Sequence, residues 1–240
     1  MPDGDTGSNM LHTVRSALKY ARQAESSVAA VAAGLAHGAL MGARGNSGVI
    51  LSQVVRGVKE AVADAEELGP AELKRALGLA RQHAHDAVTA PAPGTILTVT
   101  AAIEDAAADI SGGVTKMLAR VVDAADKAVA RTRDENPTNK AAGVVDAGAK
   151  GLYYLLEGAL AAAEGREIGT ERATSKPAPT PHAVASVDVS SWKGAYDVQF
   201  LVEHPTRPIG IVRKEMEEFG ADCVLVVGDE SVMKVHVHTL

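Results

Sequence analysis

Along most of the chain apolar residues recur at helical spacing, and only near its end do they alternate, so the pattern divides the sequence into a helical part and an α/β part. Seven helical segments are predicted in the first part. One runs from Thr6 to Gln23 with Met10, Val14 and Leu18 on one face, and the next from Ser27 to Met41 with Val28, Val31 and Leu35. The third begins at Asn46 and Ser47 and continues through Ile50, Val54, Val58 and Val62. Pro70 opens the fourth, because its fixed φ and missing N–H suit a first helical turn. Gly94 and Thr95 open the fifth, Val114 to Arg131 forms the sixth after the Gly112-Gly113 break, and the seventh follows Asp146 through Leu152, Leu155, Leu156 and Leu160. No strand pattern intervenes.

From Gly165 to Ser190 the sequence turns polar and contains Lys176-Pro177-Ala178-Pro179-Thr180-Pro181, a composition of extended linkers. A strand follows at Tyr196 to Glu203, then a helix at Arg207 to Phe219, and strands at Cys223 to Val227 and Val232 to His238. The expected organisation is an all-α domain over residues 1–165, an up-and-down helical barrel, then a linker over 166–190 and a partial α/β domain over 191–240. The chain starts within a glycine-rich loop and stops directly after a strand, so both ends are expected to be cut from something longer.

Composition narrows the function classes. Aromatics make up 3% of the chain while alanine abounds, which favours helices packed through small side chains. A formal net charge of -6, with lysines and arginines scattered among acids, gives no footprint for nucleic acid. The single cysteine, Cys223, excludes an intrachain disulfide and fits a cytoplasmic protein. No apolar run is long enough to span a bilayer and nothing resembles a signal peptide, so an integral membrane protein is not expected.

Four polar motifs precede helices one, three, five and seven: Asp3-Gly4-Asp5-Thr6-Gly7-Ser8-Asn9, Gly45-Asn46-Ser47-Gly48, Gly94-Thr95 and Asp146-Ala147-Gly148. If consecutive helices are antiparallel, the odd-numbered ones start at the same end and the motifs converge. Helix N-termini offer unpaired N–H groups and a positive dipole end, so several aimed at one place would hold a polyphosphate. Asp3 and Asp5, two apart across a glycine, suit magnesium, which prefers carboxylate oxygens. They are the candidate catalytic and metal residues. Thr6, Gly7, Ser8, Asn9, Gly45, Asn46, Ser47 and Gly48 are candidate phosphate-binding positions, Thr95 a nucleotide contact deeper in, and Asp146 a contact to the sugar or an orienting group. The competing reading is capping, worth about 1 kcal/mol per residue, which Asp, Ser, Thr and Asn before helices commonly do.

Taken in order, Pro2-Asp3-Gly4-Asp5-Thr6-Gly7-Ser8-Asn9-Met10, Ala43-Arg44-Gly45-Asn46-Ser47-Gly48-Val49-Ile50-Leu51-Ser52-Gln53, Gly94-Thr95-Ile96-Leu97-Thr98-Val99 and Val144-Val145-Asp146-Ala147-Gly148 resemble the signatures of the catalytic component of bacterial fatty acid kinase, related to the L subunit of dihydroxyacetone kinase. Tyr196 to Leu201 and Val224 to Thr239 resemble the middle domain of that same component. The resemblance implies a helical barrel that binds ATP with magnesium through Asp3 and Asp5. It also implies a separate fatty-acid-binding partner protein that presents an acyl carboxylate for conversion to an acyl phosphate, a reaction of phospholipid metabolism. A carboxylate is ionised at neutral pH and needs no general base. The resemblance also implies a further helix and a metal-side polar residue upstream of the Pro2-Asp3 position, and a C-terminal domain, which are expected to lie outside this stretch of sequence.

His236 and His238 are two apart in a predicted strand and share a face, a spacing that can supply two metal ligands. The family's middle domain resembles a zinc-binding one that adds a cysteine; Asp197 stands where that cysteine is expected. A solvent-facing histidine pair is the alternative. Cys223, Met216 and Phe219 read as core, Glu215 to Glu218 as a solvated helix face, and His83 and His85 as surface residues, because positions two apart on a helix face different ways. The apolar stripes read as core packing before any acyl pocket. A dihydroxyacetone-type small-hydroxyl kinase, a nucleotide-binding regulatory module without turnover and a helical adaptor stay open as alternatives, as does a homodimer.

Overall fold

The computed structural model describes residues 4–108, 112–167 and 196–239. The predicted linker, Gly165 to Ser190, lies almost wholly outside these residues, as does Asp3.

Among the described residues, eight helices precede the first strand: α1 (Thr6–Ala21), α2 (Val28–Gly42), α3 (Gly45–Ala61), α4 (Pro70–Asp86), α5 (Ile96–Ala106), α6 (Val114–Glu135), α7 (Pro137–Ala142) and α8 (Ala147–Ala163). Each long helix packs on the next, α6 passes the contact to α8, and α8 returns against α1, so the ring closes. The short α7 is the element that periodicity missed, since one and a half turns leave too few residues to show a stripe. Asn136 caps it by accepting from Thr138 and Asn139, Pro137 opens it, and Gly143 ends it at φ +67°.

Small residues set how close the helices come. A Cβ on Gly57 of α3 would lie 2.3 Å from the main-chain nitrogen of Ala80 on α4, so only glycine permits that approach. In α1 and α2 the buried side chains are Met10, Thr13 and Ala17, and Ala32, Ala36, Ala39 and Leu40. Leu18 and Val31, expected on the inner faces, are exposed instead, because alanine and glycine make the close contact and leave bulky neighbours outside. The main core joins Met10, Leu51, Val54, Leu77, Val99, Ile103, Met117, Val121 and Leu152 from six of the helices.

The remaining elements are β1 (Tyr196–Glu203), α9 (Ile209–Glu218), β2 (Asp222–Gly228) and β3 (Val232–Thr239). They form an antiparallel sheet in the order β1-β3-β2. Alternation sorts β3 cleanly: Met233, Val235 and Val237 face α9 with Val224 and Val226, while Val232 joins Leu225 and Val227 against Leu40, Ala43, Val49 and Ala87 of the helical ring. Both faces of the central strand β3 are therefore covered, while much of β1 is exposed.

Three expectations are corrected here. Cys223 is exposed rather than core: the ladder slips between Asp222 and Leu225, and Cys223 sits at φ +53°, which turns its side chain off the pleat. Phe219, just past α9, is 77% exposed, whereas Met216 does pack beneath the sheet. His83 is no surface residue either; α4 packs on α3, and its Nε2 meets Glu60 at 2.7 Å. No helix of the described residues is long and apolar enough to cross a membrane.

Candidate functional site

The starts of α1, α3, α5 and α8 surround one cavity of about 260 Å³. Asp5, Thr6 and Asn9 reach it from the first, Gly45, Asn46 and Ser47 from the second, Thr95 from the third, and Asp146 from the fourth. Of the other sequence candidates, Gly7 lines a separate apolar groove beside Met10 and Tyr154, and neither Ser8 nor Gly48 lines the cavity. Ile50 and Ile96 line it without having been singled out, and no polar signal marks them.

The helix starts differ in what their polar groups do. At α1 the Asp5 side chain makes no cap; its Oδ2 accepts from the Asn9 amide at 2.8 Å, and Thr13 donates to the Asn9 carbonyl at 2.8 Å. At α3 the N-cap is Arg44, again without a side-chain cap bond, which leaves Asn46 and Ser47 in the first turn. Gly45 has φ +56°, and a Cβ there would lie 2.6 Å from the Asn9 amide nitrogen, so glycine is required both by backbone and by space. Asn46 donates to Cys223 Sγ at 2.8 Å, while its Oδ1 is buried without a partner.

At α5 and α8 the capping reading holds. Thr95 Oγ1 accepts from Leu97 N at 3.3 Å and donates to Ala92 O at 2.9 Å. Asp146 accepts from Ala149 N at 2.7 Å, with the amides of Ile96 and Gly148 also directed at it, and its own N–H is held by the buried Thr132 hydroxyl at 2.9 Å. Burial nonetheless raises its carboxyl above the ordinary aspartate value, because the hydrogen bonds do not outweigh lost solvation.

The sheet supplies the far wall. Asp197, His236 and His238 line the same cavity, and one ligand atom from each lies within 4.8 Å of the others. Antiparallel register sets Asp197 opposite His238 and Gln199 opposite His236. Neither histidine faces solvent: His236 is fully buried and His238 nearly so, because the polar face of β3 is turned to the helical ring. His236 Nδ1 stands 3.2 Å from Asp197 Oδ1 and 2.7 Å from the Gln199 side-chain amide, while its Nε2 is buried without a hydrogen-bond partner. Burial holds this imidazole below the usual histidine range, so it is neutral at pH 7, the form in which a ring nitrogen can ligate a metal. A carboxylate with two imidazoles, one of which carries an orphaned ring nitrogen, fits a cation such as zinc.

Comparison with known proteins matches two families along the chain. The DAK2 domain family matches residues 1–161, and the middle-domain family of FakA-like fatty acid kinases matches residues 193–240. Protein YloV of Bacillus subtilis is 34% identical over 255 residues, covering 99% of this chain and 45% of that protein. Uncharacterized proteins of Staphylococcus saprophyticus and Staphylococcus epidermidis are each 32% identical, over 100% of this chain and 45% of their own length. The chain thus spans about half the length of the curated relatives it matches. It belongs to the DAK2-domain family, in combination with a FakA-like fatty acid kinase middle domain, which is a kinase-related family.

Proposed function

We propose that this chain carries the nucleotide site of an ATP-dependent kinase that phosphorylates the carboxylate of a fatty acid, presented by a separate fatty-acid-binding protein, to give an acyl phosphate. The observation that carries the reading is the meeting of four helix starts at one cavity, with Asp5, Asn9, Asn46 and Ser47 around it. The amide groups in the first turns of α1 and α3 have no intrahelical partners and bind phosphate oxygens, with Asn9, Asn46 and Ser47 adding side-chain donors. Asp5, together with Asp3, holds magnesium, which when bound offsets the charge of the transferring phosphoryl group. Asn9 holds the Asp5 carboxylate through its amide, so the ligand is oriented before the cation arrives. Asp146 and Thr95 hold the deeper wall for the nucleoside. Asp197, His236 and His238 are a zinc site beside it, whose part is to fix the sheet against the phosphate end. No residue is assigned as general base, since the acceptor is already an anion.

Phosphate transfer from ATP to a fatty acid loaded on its binding protein tests this, with the chain extended at both ends to the length of its relatives. Turnover that requires the loaded acid, and that Asp5→Ala removes while helical content stays the same, is the expected result. Turnover on a glycerone-like acceptor with indifference to the fatty acid would replace the acceptor; turnover surviving Asp5→Ala would remove the metal assignment.

A further inference from the structure

One lysine of the sheet reaches into the helical ring. Lys234 shares its face of β3 with Val232, His236 and His238, and is only 5% exposed. Its ammonium donates to the main-chain carbonyls of Leu40 at 3.3 Å and Ala43 at 2.5 Å. These carbonyls lie at the end of α2, where helical geometry leaves acceptors short of partners and favours a cation. The helix has no basic residue of its own in its last turn, so the charge comes from a strand 191 residues beyond Ala43. Burying an ammonium costs free energy, and docking of the sheet does not need it. Leu225, Val227 and Val232 already pack on Leu40, Ala43, Val49 and Ala87, and Arg56 of α3 donates to the Gly228 carbonyl at 3.1 Å.

What distinguishes Lys234 is the place it holds. Only Ala43 and Arg44 separate α2 from α3. The Ala43 carbonyl belongs to the peptide that enters Arg44, the N-cap of α3. The next three residues, Gly45, Asn46 and Ser47, line the cavity at the helix starts, and their first-turn N–H groups have no intrahelical acceptor. Turning the Ala43-Arg44 peptide would re-aim those groups, and Gly45, at φ +56°, gives the backbone little rigidity of its own there. We infer that Lys234 is a positioning residue for the nucleotide site: reaching from the sheet, it fixes the Ala43-Arg44 peptide and so aims the first-turn amides of α3 at phosphate. The inference rests on the nucleotide reading of that cavity. Docking of the sheet and binding of phosphate are then linked, and each strengthens the other.

Calorimetric binding of an unhydrolysable ATP analogue with magnesium, set beside melting temperature, tests the inference on the full 240-residue chain and three variants. Lys234→Met keeps the stem and removes the donors, and affinity is expected to fall about tenfold. Lys234→Arg is expected to recover most of that loss, because position 234 borders a cavity of about 520 Å³ with room for a guanidinium that still donates to both carbonyls. Arg56→Met removes the bond to Gly228 and the pair with Glu60, neither of which lines the nucleotide cavity. It is expected to lower the melting temperature by about 2–4 °C with affinity unchanged. A lysine that only stabilised the fold would make affinity follow melting temperature across all three. Hydrogen exchange in the unsubstituted chain checks the linkage without depending on how a variant folds. The analogue is expected to slow exchange across residues 228–233, where β2 turns into β3 and no residue lines the nucleotide cavity. Unchanged affinity in folded Lys234→Met, or exchange there indifferent to the analogue, would overturn the positioning role and leave the nucleotide reading standing. An unsubstituted chain that binds no analogue would overturn both.

Discussion

The starts of α1 and α3 and the starts of α5 and α8 look alike in sequence, each a short run of Asp, Asn, Ser, Thr and Gly ahead of an apolar helix, yet they do different work. Thr95 and Asp146 spend their side chains on the amides of their own helices. Asp5 makes no cap, and Asn46 and Ser47 lie inside the first turn of α3 behind Arg44, leaving the orphan amides there to other partners. Among polar residues at helix starts, the ones that fail to cap are therefore the better candidates for ligand binding. On the kinase reading proposed above, the capped pair shapes the wall and the uncapped pair meets the ligand.

Mutations can break this contrast. The largest effect is expected for Asp5→Asn, which keeps an acceptor for Asn9 but loses the charge: affinity for a magnesium-loaded ATP analogue should fall about a hundredfold by calorimetry with no change in melting temperature. Asp146→Ala should do the opposite. Losing a buried acceptor of several amides costs about 2 kcal/mol, a fall of roughly 4–8 °C in melting temperature for a chain of this size. Thr95→Ala removes a single cap and should cost about 1 kcal/mol, or roughly 2–4 °C.

The smallest expected effect lies away from the cavity, at Glu60. Burial raises its carboxyl, but hydrogen bonds from His83 and Arg56 outweigh that and the net shift is downward. A depressed carboxyl stabilises the fold above its unfolded value and loses that contribution as pH falls through the folded one. Glu60→Gln should therefore lower the melting temperature by about 1–2 °C at pH 7 and leave it unchanged in acid, in a pair of thermal scans.

Much of the fold was legible because long amphipathic helices and alternating strands write their period into the sequence. Pro70 and the Gly112-Gly113 break marked boundaries at Pro70 and Val114. Inner faces were harder to read where alanine and glycine make the contact, as at Leu18 and Val31, since an apolar stripe shows which residues prefer burial but not how near the neighbour comes. The bulge that exposes Cys223 leaves no mark in its apolar surroundings. At the site, each motif could be found locally, whereas the turning of His236 and His238 toward the helical ring depends on docking between distant segments. The hold of Lys234 on the end of α2 has the same origin and was invisible for the same reason.

The central claim is that the uncapped starts of α1 and α3 hold the phosphates and their cation. Crystals of the chain grown with an unhydrolysable ATP analogue and manganese in place of magnesium test it through the anomalous signal of the metal. The account predicts a manganese peak in direct contact with the Asp5 carboxylate and phosphate oxygens on the amides of Asn46 and Ser47. Nucleotide bound in the apolar groove beside Tyr154, or a metal coordinated without Asp5, would contradict it.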